Sequence, residues 1–349
     1  MNWKNLKYYI AYIVPLGAFL GLYFKDWHVW LVVGVAFIVL PILEVLLPFS
    51  KENPTPEEEE VLKKNKMFDY ILYLHVPLIY ALLFYFLYLV YTNAFPNTIS
   101  LIGMTLSIGV LLGAMGINIA HELGHRQNKF EVFLAQALLL PNLYLHFTIE
   151  HNRGHHKYVS TPRDPATARL NESLYAFWLR SILGQYFSAW KLEAERLELE
   201  GKKFWSLNNQ MIQFLIVELA YLSVIFLLFD SKAIIFALTV SLIGVMLLET
   251  VNYIEHYGLT RKEVSEGIYE SVKPTHSWNS SHELGRIILF ELSRHSDHHY
   301  KSTRKYQILR HFEDSPQLPT GYPGSMILAA IPPLWYRIMN KRVKVLKES

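Results

Sequence analysis

Fifteen histidines occur in this 349-residue chain, and three clusters of them repeat a spacing that suits a metal site. The clusters read HELGH from position 121, HNRGHH from position 151 and HSDHH from position 295. On a helix, residues three or four apart share one face, with Cβ atoms about 5–6 Å apart. Each cluster is therefore expected to offer two or three imidazoles to one point, and neutral imidazole is the commonest metal ligand.

A fourth candidate, His256, follows an apolar stretch and brings the number of imidazoles beyond what one metal ion can hold. Two ions are therefore implied. Imidazole suits iron, zinc and copper, and iron is preferred because the apolar surroundings favour oxygen chemistry. The chain contains no cysteine, which excludes disulfides, cysteine nucleophiles, haem-thiolate chemistry and iron–sulfur centres within it.

Other functions match parts of this pattern less well. The HELGH motif fits the HExxH signature of zinc metalloproteases, with Glu122 as general base, but this interpretation leaves the other clusters unused. It stays a distant alternative. A ferritin-type di-iron site needs a second ExxH motif, which is missing. A transporter is less favoured, because its ionisable groups would lie at mid-membrane rather than at one face.

Six histidines stand apart from these candidates. His282 lies in the sequence SHELGR, which resembles the first cluster but has arginine in place of the second histidine. We expect it to support the ligands or the structure rather than to bind metal. The other isolated histidines are expected in the core or on the surface: His28, His75, His146, His276 and His311.

The composition indicates an integral membrane protein. Hydrophobic residues make up 52% of the chain and charged residues only 18%, against about a quarter in soluble domains. Six apolar stretches reach the roughly 20 residues that a helix needs to cross a bilayer. The sequence thus predicts a single all-α membrane domain, 1–349, with spans near 7–24, 27–48, 67–91, 97–120, 209–229 and 232–253.

The distribution of basic residues predicts the orientation. Short turns at 25–26, 92–96 and 230–232 join the spans in pairs, and they contain only two of the 33 lysines and arginines. The positive-inside rule then predicts that both termini lie in the cytoplasm. The polar segments 150–208 and 254–349 and all histidine clusters are predicted on the same side. The net charge of only +3 gives no electrostatic support for nucleic-acid binding.

A further apolar stretch, residues 130–149, separates the first two histidine clusters. If it crossed the bilayer, these clusters would face opposite sides and would not share a site. We therefore expect a re-entrant or interfacial helix pair, broken at Pro141–Asn142 and packed within the protein, where irregular backbone is tolerated at membrane depth.

Taken together, the motifs resemble those of one family. HELGHR, EHNRGHHKYVSTPRDPATAR, NYIEHYGL and SRHSDHH are similar to the motifs of the membrane-bound alkane 1-monooxygenases, or alkane omega-hydroxylases. This family belongs to the fatty-acid desaturase and hydroxylase superfamily, and the NYIEHYGL and DPAT elements separate it from the desaturases. HSWNSSH and LPTGYPGSM also match, so the resemblance spans almost the whole chain.

The resemblance implies a non-haem di-iron centre that hydroxylates the terminal carbon of medium- to long-chain alkanes to 1-alkanols with O₂. It implies electrons from rubredoxin, with an NADH-dependent rubredoxin reductase upstream, and a place in the bacterial inner membrane. A fatty acyl or lipid desaturase or hydroxylase of the same superfamily is the alternative. The family's nine ligands carry over to His121, His125, His151, His155, His156, His256, His295, His298 and His299.

Carboxylates near the ligands are expected to orient the imidazoles through their second ring nitrogen. The candidates are Glu122, Glu150, Asp164, Glu255 and Asp297. An alkane offers no polar handle, so its binding has to come from apolar burial, at roughly 0.8 kcal/mol per methylene. We expect Ala36 to line the channel. Other small residues would leave room there or serve close helix packing: Gly34, Gly113, Ala114 and Gly116.

The tail 300–349 is basic, with nine lysines and arginines against three acidic residues. A basic face would steer an acidic rubredoxin towards the protein by long-range attraction. We predict that Arg304, Lys305 and Arg310, which follow the third cluster, form part of the docking patch. The alternative is that the basic tail is attracted to anionic membrane lipid.

Overall fold

The computed structural model describes residues 3–47 and 49–348, and within them the chain is mostly helical with almost no strand. Six helices, which we name spans one to six, are long and apolar enough to cross a membrane: Asn5–Phe24, Trp27–Leu46, Met67–Tyr91, Thr98–Gly124, Gln210–Leu228 and Ser231–His256. The predicted all-α membrane architecture is therefore confirmed. Span two was expected to reach position 48, but it ends at Leu46, and Pro48 lies outside the described residues.

Three of the spans change their helical geometry along their length. The 3-10 stretch Trp3–Tyr12 leads into span one, which continues as the α-helix Ile13–Phe24. Span two runs through 3-10, α, π and α geometry: Trp27–Trp30, Leu31–Gly34, Val35–Val39 and Leu40–Leu46. Span four runs through α, π and α geometry: Thr98–Leu111, Leu112–Ile117 and Asn118–Gly124. π turns frequently occur at functional sites.

The remaining helices are shorter or lie outside the spans. The α-helices are Pro56–Lys64, Lys129–Leu139, Phe147–Glu150, His156–Tyr158, Leu174–Leu199, Glu283–Ile288, His295–Tyr300, Tyr322–Ala329 and Pro332–Glu348. A third π turn spans His151–His155, and further 3-10 turns span Leu140–Asn142, Pro274–His276 and Tyr306–Ile308. Within the described residues, the strands Glu263–Ser265 and Ile268–Tyr269 form one antiparallel hairpin.

Spans four and six pack closely because both carry glycine at their contact. A Cβ at Gly113 would lie 2.9 Å from the carbonyl oxygen of Gly244, which is too close for a side chain. Small residues allow helices in membranes to approach in this way. The contact holds the two helices side by side, and their C-terminal ends carry His121 and His256.

The apolar segment 130–149 is broken in the structure. The helix Lys129–Leu139 ends in a short turn, and Leu143 adopts a left-handed φ of 49° before the next helix begins at Phe147. The carbonyl of Asn142 accepts a hydrogen bond of 2.6 Å from the hydroxyl of Ser241 on span six. Neighbouring protein thus satisfies backbone at the break, as irregular backbone at membrane depth requires.

Cysteine labelling tests whether this segment returns to the side from which it starts. Asn128 and Lys157 are exposed before and after it, and the chain has no native cysteine. We expect Asn128→Cys and Lys157→Cys to react with a membrane-impermeant maleimide from the cytoplasmic side only. Thr92→Cys, in the turn after span three, should react from the opposite side. Labelling of positions 128 and 157 from different sides would contradict a re-entrant segment.

Candidate metal centre

The nine histidines at the predicted ligand positions converge on two points. Group A contains His121, His125, His151, His156 and His298, and group B contains His155, His256, His295 and His299. Within each group the candidate ligand atoms all lie within 4.8 Å of one another. The six other histidines, including His282, lie outside both groups.

The Nε2 atoms within each group are spaced like donors to a single ion. In group A, Nε2 of His151 lies 3.1 Å from Nε2 of His125 and of His156. In group B, Nε2 of His295 lies 3.2 Å from that of His256 and 2.9 Å from that of His299. Two nitrogens that are each about 2.1 Å from one ion stand about 3.0 Å apart at a right angle. Each group therefore fits one ion.

Adjacent histidines in the sequence belong to different groups. His155 belongs to group B and His156 to group A, and His299 and His298 divide in the same way. Successive side chains on an α-helix differ by about 100° in direction, so two neighbouring histidines point towards different groups. Each cluster thus directs two imidazoles to one group, and the third imidazole of the second and third clusters belongs to the other group and connects the two.

A π turn explains how His151 and His156 meet although they are five residues apart. In an α-helix, positions i and i+5 differ by about 140° in direction. Here the backbone N–H of His156 donates to the carbonyl of His151, which is the i→i+5 bond of a π-helix. The wider turn brings both imidazoles to one face, where they face group A.

The protonation and burial of these imidazoles suit metal binding. Burial lowers the pKa of His125 to about 3 and sets the pKa of His151 and His298 well below the usual value for histidine. These three imidazoles are therefore neutral, which is the form that binds metals. Nε2 of His121 is buried without a hydrogen-bond partner, and a metal ion would satisfy it.

Asp164 contacts the second ring nitrogen of one of the histidines. Its Oδ2 lies 2.9 Å from Nδ1 of His155 and accepts a hydrogen bond of 2.6 Å from the hydroxyl of Thr167. This contact directs Nε2 of His155 into group B, where it stands 3.2 Å from Nε2 of His299. A carboxylate on the second nitrogen fixes the tautomer and raises the basicity of a metal ligand.

Replacement of Asp164 by asparagine is expected to weaken Fe²⁺ binding about 10- to 100-fold, because an amide does not carry the charge that raises ligand basicity. Anaerobic competition with a chelator would measure the apparent Kd. Asp314→Asn makes the same chemical change at an exposed position and should bind like the wild type. An Asp164→Asn variant that matches this control would contradict the orienting role.

Two of the other predicted carboxylates pair with arginines rather than with histidines. Glu122 accepts hydrogen bonds from the Arg126 guanidinium at 2.5 Å and from the backbone N–H of Tyr306 at 3.2 Å. Asp297 is held by the guanidinium of Arg310, with an oxygen–nitrogen distance of 3.2 Å. The arginine contact also occupies the carboxylate that the protease interpretation needs as a free general base.

Glu255 and Glu150 approach the site in other ways. Oε2 of Glu255 lies 3.2 Å from Nε2 of His295, so it faces the group B side of that ring, and Oε1 accepts a hydrogen bond of 2.6 Å from the hydroxyl of Tyr322. Glu150 is completely buried and accepts a hydrogen bond of 3.3 Å from the hydroxyl of Ser188. The sequence analysis missed Tyr322, because no local pattern links it to a carboxylate 67 residues away.

An apolar cavity leads to the histidines between spans two, four and six. On span two its wall includes Ala36, as predicted, together with Val35 and Leu40. It reaches group A at His121 and His151, and group B at His295. Of the other small residues considered, Gly113 and Ala114 line the cavity, whereas Gly34 and Gly116 do not.

The three predicted docking residues have structural partners within this chain. Arg304, whose side chain is 10% exposed, pairs with Glu59 at 2.9 Å, and Lys305 pairs with buried Asp69 at 2.8 Å. Arg310 pairs with Asp297, as described above. Each of these charges is thus paired with an acid of the chain, and the docking role of Arg304, Lys305 and Arg310 stays a prediction.

His282 likewise has local partners. Its Nδ1 stands 2.9 Å from the hydroxyl of Ser280, and its ring meets that of Phe49 edge-on at 5.8 Å between centroids. These contacts give it a structural role outside both histidine groups. They do not connect it to the second nitrogen of any candidate ligand.

Comparison with known proteins agrees with this site. A family model described as fatty acid desaturase matches residues 96–324. The chain is 39% identical to the alkane 1-monooxygenase of Acinetobacter baylyi, over 88% of this chain and 75% of that protein. It is 38% identical to the alkane 1-monooxygenase of Pseudomonas putida, over 97% of this chain and 85% of that protein.

A more distant relative also matches nearly the whole chain. The hydroxylase component of the xylene/toluene monooxygenase of Pseudomonas putida is 28% identical, over 97% of this chain and 88% of that protein. The resemblance drawn from the histidine motifs is therefore confirmed by relatives along nearly the whole chain. With its histidine-rich helical architecture and these relatives, the chain belongs to the alkane 1-monooxygenase family of oxidoreductases, within the wider fatty acid desaturase family.

Proposed function

We propose that groups A and B each hold one iron ion and that the chain hydroxylates the terminal carbon of medium- to long-chain alkanes to 1-alkanols. The observation that carries this proposal is the apolar cavity, which ends at imidazoles of both groups. A cavity with this lining suits a substrate without polar groups. The relatives named alkane 1-monooxygenase support the same substrate class.

The reaction converts R–CH₃, O₂, two electrons and two protons to R–CH₂OH and water. When bound, the iron ions supply the reduction of O₂ and the transfer of one oxygen atom to the terminal C–H bond. The chain binds the alkane by burying its methylenes, at roughly 0.8 kcal/mol each. Because the substrate has no polar group that could form a hydrogen bond, the shape of the cavity orients its terminal methyl group.

We further propose that rubredoxin supplies the electrons, with an NADH-dependent rubredoxin reductase upstream, and that the protein lies in the bacterial inner membrane. The histidine groups lie at the ends of spans four and six, opposite the short turns. The positive-inside rule then places both groups and both termini in the cytoplasm, where rubredoxin reaches them. The proposed docking patch includes Arg304, Lys305 and Arg310, each of which also pairs with an acid of this chain.

Reconstitution tests this function directly. The full-length chain would be loaded with Fe²⁺ in nanodiscs and supplied with rubredoxin, its reductase, NADH and ¹⁸O₂. With octane and hexadecane we expect 1-alkanols that carry one labelled oxygen atom, and metal analysis should find about two iron ions per chain.

Other results would favour the alternatives. An unsaturated or hydroxylated product from palmitoyl-CoA, with no alkanol from either alkane, would favour the acyl desaturase or hydroxylase. One zinc ion per chain with peptide hydrolysis would favour the metalloprotease. Omission of rubredoxin should stop turnover without changing the iron content, and unchanged turnover would contradict the proposed donor.

A further inference from the structure

The buried carboxyl groups of this chain divide into two classes. Eleven aspartate and glutamate side chains are buried within the described residues. Six have a lysine or arginine within 4 Å: Asp69, Glu122, Glu131, Glu193, Glu291 and Asp297. The five without such a partner are Glu44, Glu150, Asp164, Glu249 and Glu255. Glu150, Asp164 and Glu255 adjoin the histidine groups, whereas Glu249 and Glu44 do not.

Glu249 lies on span six, completely buried, at the centre of a hydrogen-bond network. Its Oε1 accepts hydrogen bonds from the Gln185 amide at 2.8 Å and from the Tyr144 hydroxyl at 3.1 Å. Its Oε2 accepts one from the Asn252 amide at 3.4 Å. All three partners donate, and an ionised carboxylate only accepts, so the network complements the charged form of Glu249.

The network connects Glu249 to the metal centre without a direct contact. Asn252 lines the cavity together with His121, His151 and His295. On the other side, the ring of Tyr144, which donates to Glu249, stacks on that of Phe147 with 6.3 Å between centroids. Phe147 in turn stacks on the imidazole of His151 at 4.6 Å, so two rings separate Glu249 from a ligand of group A.

A buried anion without a cation is costly, because the protein interior stabilises charge far less well than water does. Elsewhere in the described part of this chain, lysine or arginine lowers that cost for six buried acids. None stands beside Glu249, although three donors favour its ionised form. Cations bound in the histidine groups would compensate its charge, since electrostatic attraction acts over many ångströms at low dielectric.

We propose that Glu249 is a remote counter-charge of the metal centre: a positioning residue that strengthens the binding of divalent cations by its charge and does not coordinate them. The inference rests on the proposed function only in requiring that groups A and B hold metal ions. It separates Glu249 from Asp164, which acts through a hydrogen bond to a ligand.

Two variants of Glu249 and one control separate the effect of its charge from that of its shape. Glu249→Gln keeps the shape and removes the charge, whereas Glu249→Asp keeps the charge and shortens the side chain. By anaerobic chelator competition, we expect Fe²⁺ to bind Glu249→Gln at least about tenfold more weakly than wild type, and Glu249→Asp within about threefold. Glu218→Gln, a half-buried change on span five, should bind like the wild type.

Thermal unfolding gives a second readout, because the change in stability caused by the substitution should differ in sign between the metal-free and the iron-loaded protein. Removal of an uncompensated buried charge should leave the metal-free Glu249→Gln protein as stable as the wild type or more so, and the iron-loaded protein less stable. A purely structural network would predict lower stability in both states. If Glu249→Gln does not fold, Glu249→Asp and Glu249→Asn offer a further pair of similar shape, and the aspartate should bind Fe²⁺ at least about tenfold more tightly.

The outcomes distinguish this inference from the proposed function. Wild-type protein that binds no iron would overturn the metal centre itself. Wild-type protein that binds two ions, with Glu249→Gln binding equally tightly or more tightly than Glu249→Asp, would overturn only the counter-charge. The counter-charge is supported if only Glu249→Gln binds Fe²⁺ more weakly and if this variant is less stable than the wild type in the iron-loaded state only.

Discussion

Replacement of His256 by alanine is expected to lower the iron content from about two ions per chain to about one or none, and alkane hydroxylation at least about a hundredfold. His256 is completely buried, and its Nε2 stands 3.2 Å from that of His295. Without it, group B keeps three histidines and a cavity that water or another ligand would have to fill. Metal analysis of the purified, folded variant and product formation from octane measure both effects.

His28→Ala serves as the matched control, because His28 lies outside both groups, in the 3-10 stretch that begins span two. It should keep its iron and its turnover. A His256→Ala variant with full iron content and full turnover would show that group B does not need its fourth histidine. Circular dichroism of both variants would establish that any loss reflects the site and not the fold.

Replacement of Ala36 by tryptophan is expected to shorten the range of accepted alkanes. Ala36 lines the cavity about halfway along span two, whereas the histidine groups lie at the C-terminal ends of spans four and six. Only the distal part of a long alkane reaches that position. The added indole should lower kcat/KM for hexadecane at least about tenfold and change it for octane by less than about threefold. Competition between the two alkanes in one reaction measures the ratio.

Ile38→Trp provides the control for this prediction. Ile38 lies in the same π turn as Ala36, but its side chain is 61% exposed and does not line the cavity. The control thus introduces the same bulk on the same helix at the outer surface, and its preference between octane and hexadecane should equal that of the wild type. An equal change in both variants would assign the effect to span two as a whole and not to the cavity wall.

Local sequence determined the membrane spans and the choice of histidines. A span is predicted from the hydropathy of one continuous segment, and the members of each histidine cluster lie no more than five positions apart. Both features depend only on neighbouring residues, so the sequence alone is enough to predict them. His256 was found less directly, through the motif around it and the end of its apolar stretch. All nine of these residues lie in the two groups of the structure.

Only the tertiary structure decided which histidines share an ion, because that choice depends on contacts between distant segments. His155 and His299 meet across 144 residues, and the π turn that brings His151 to His156 has no distinct spacing in the sequence. Arg304 appeared as a free basic residue until its pair with Glu59, 245 residues away, was located. Glu249 escaped notice for the same reason: its partners Tyr144 and Gln185 are 105 and 64 residues away, and burial without a cation is a property of packing, which no local pattern records.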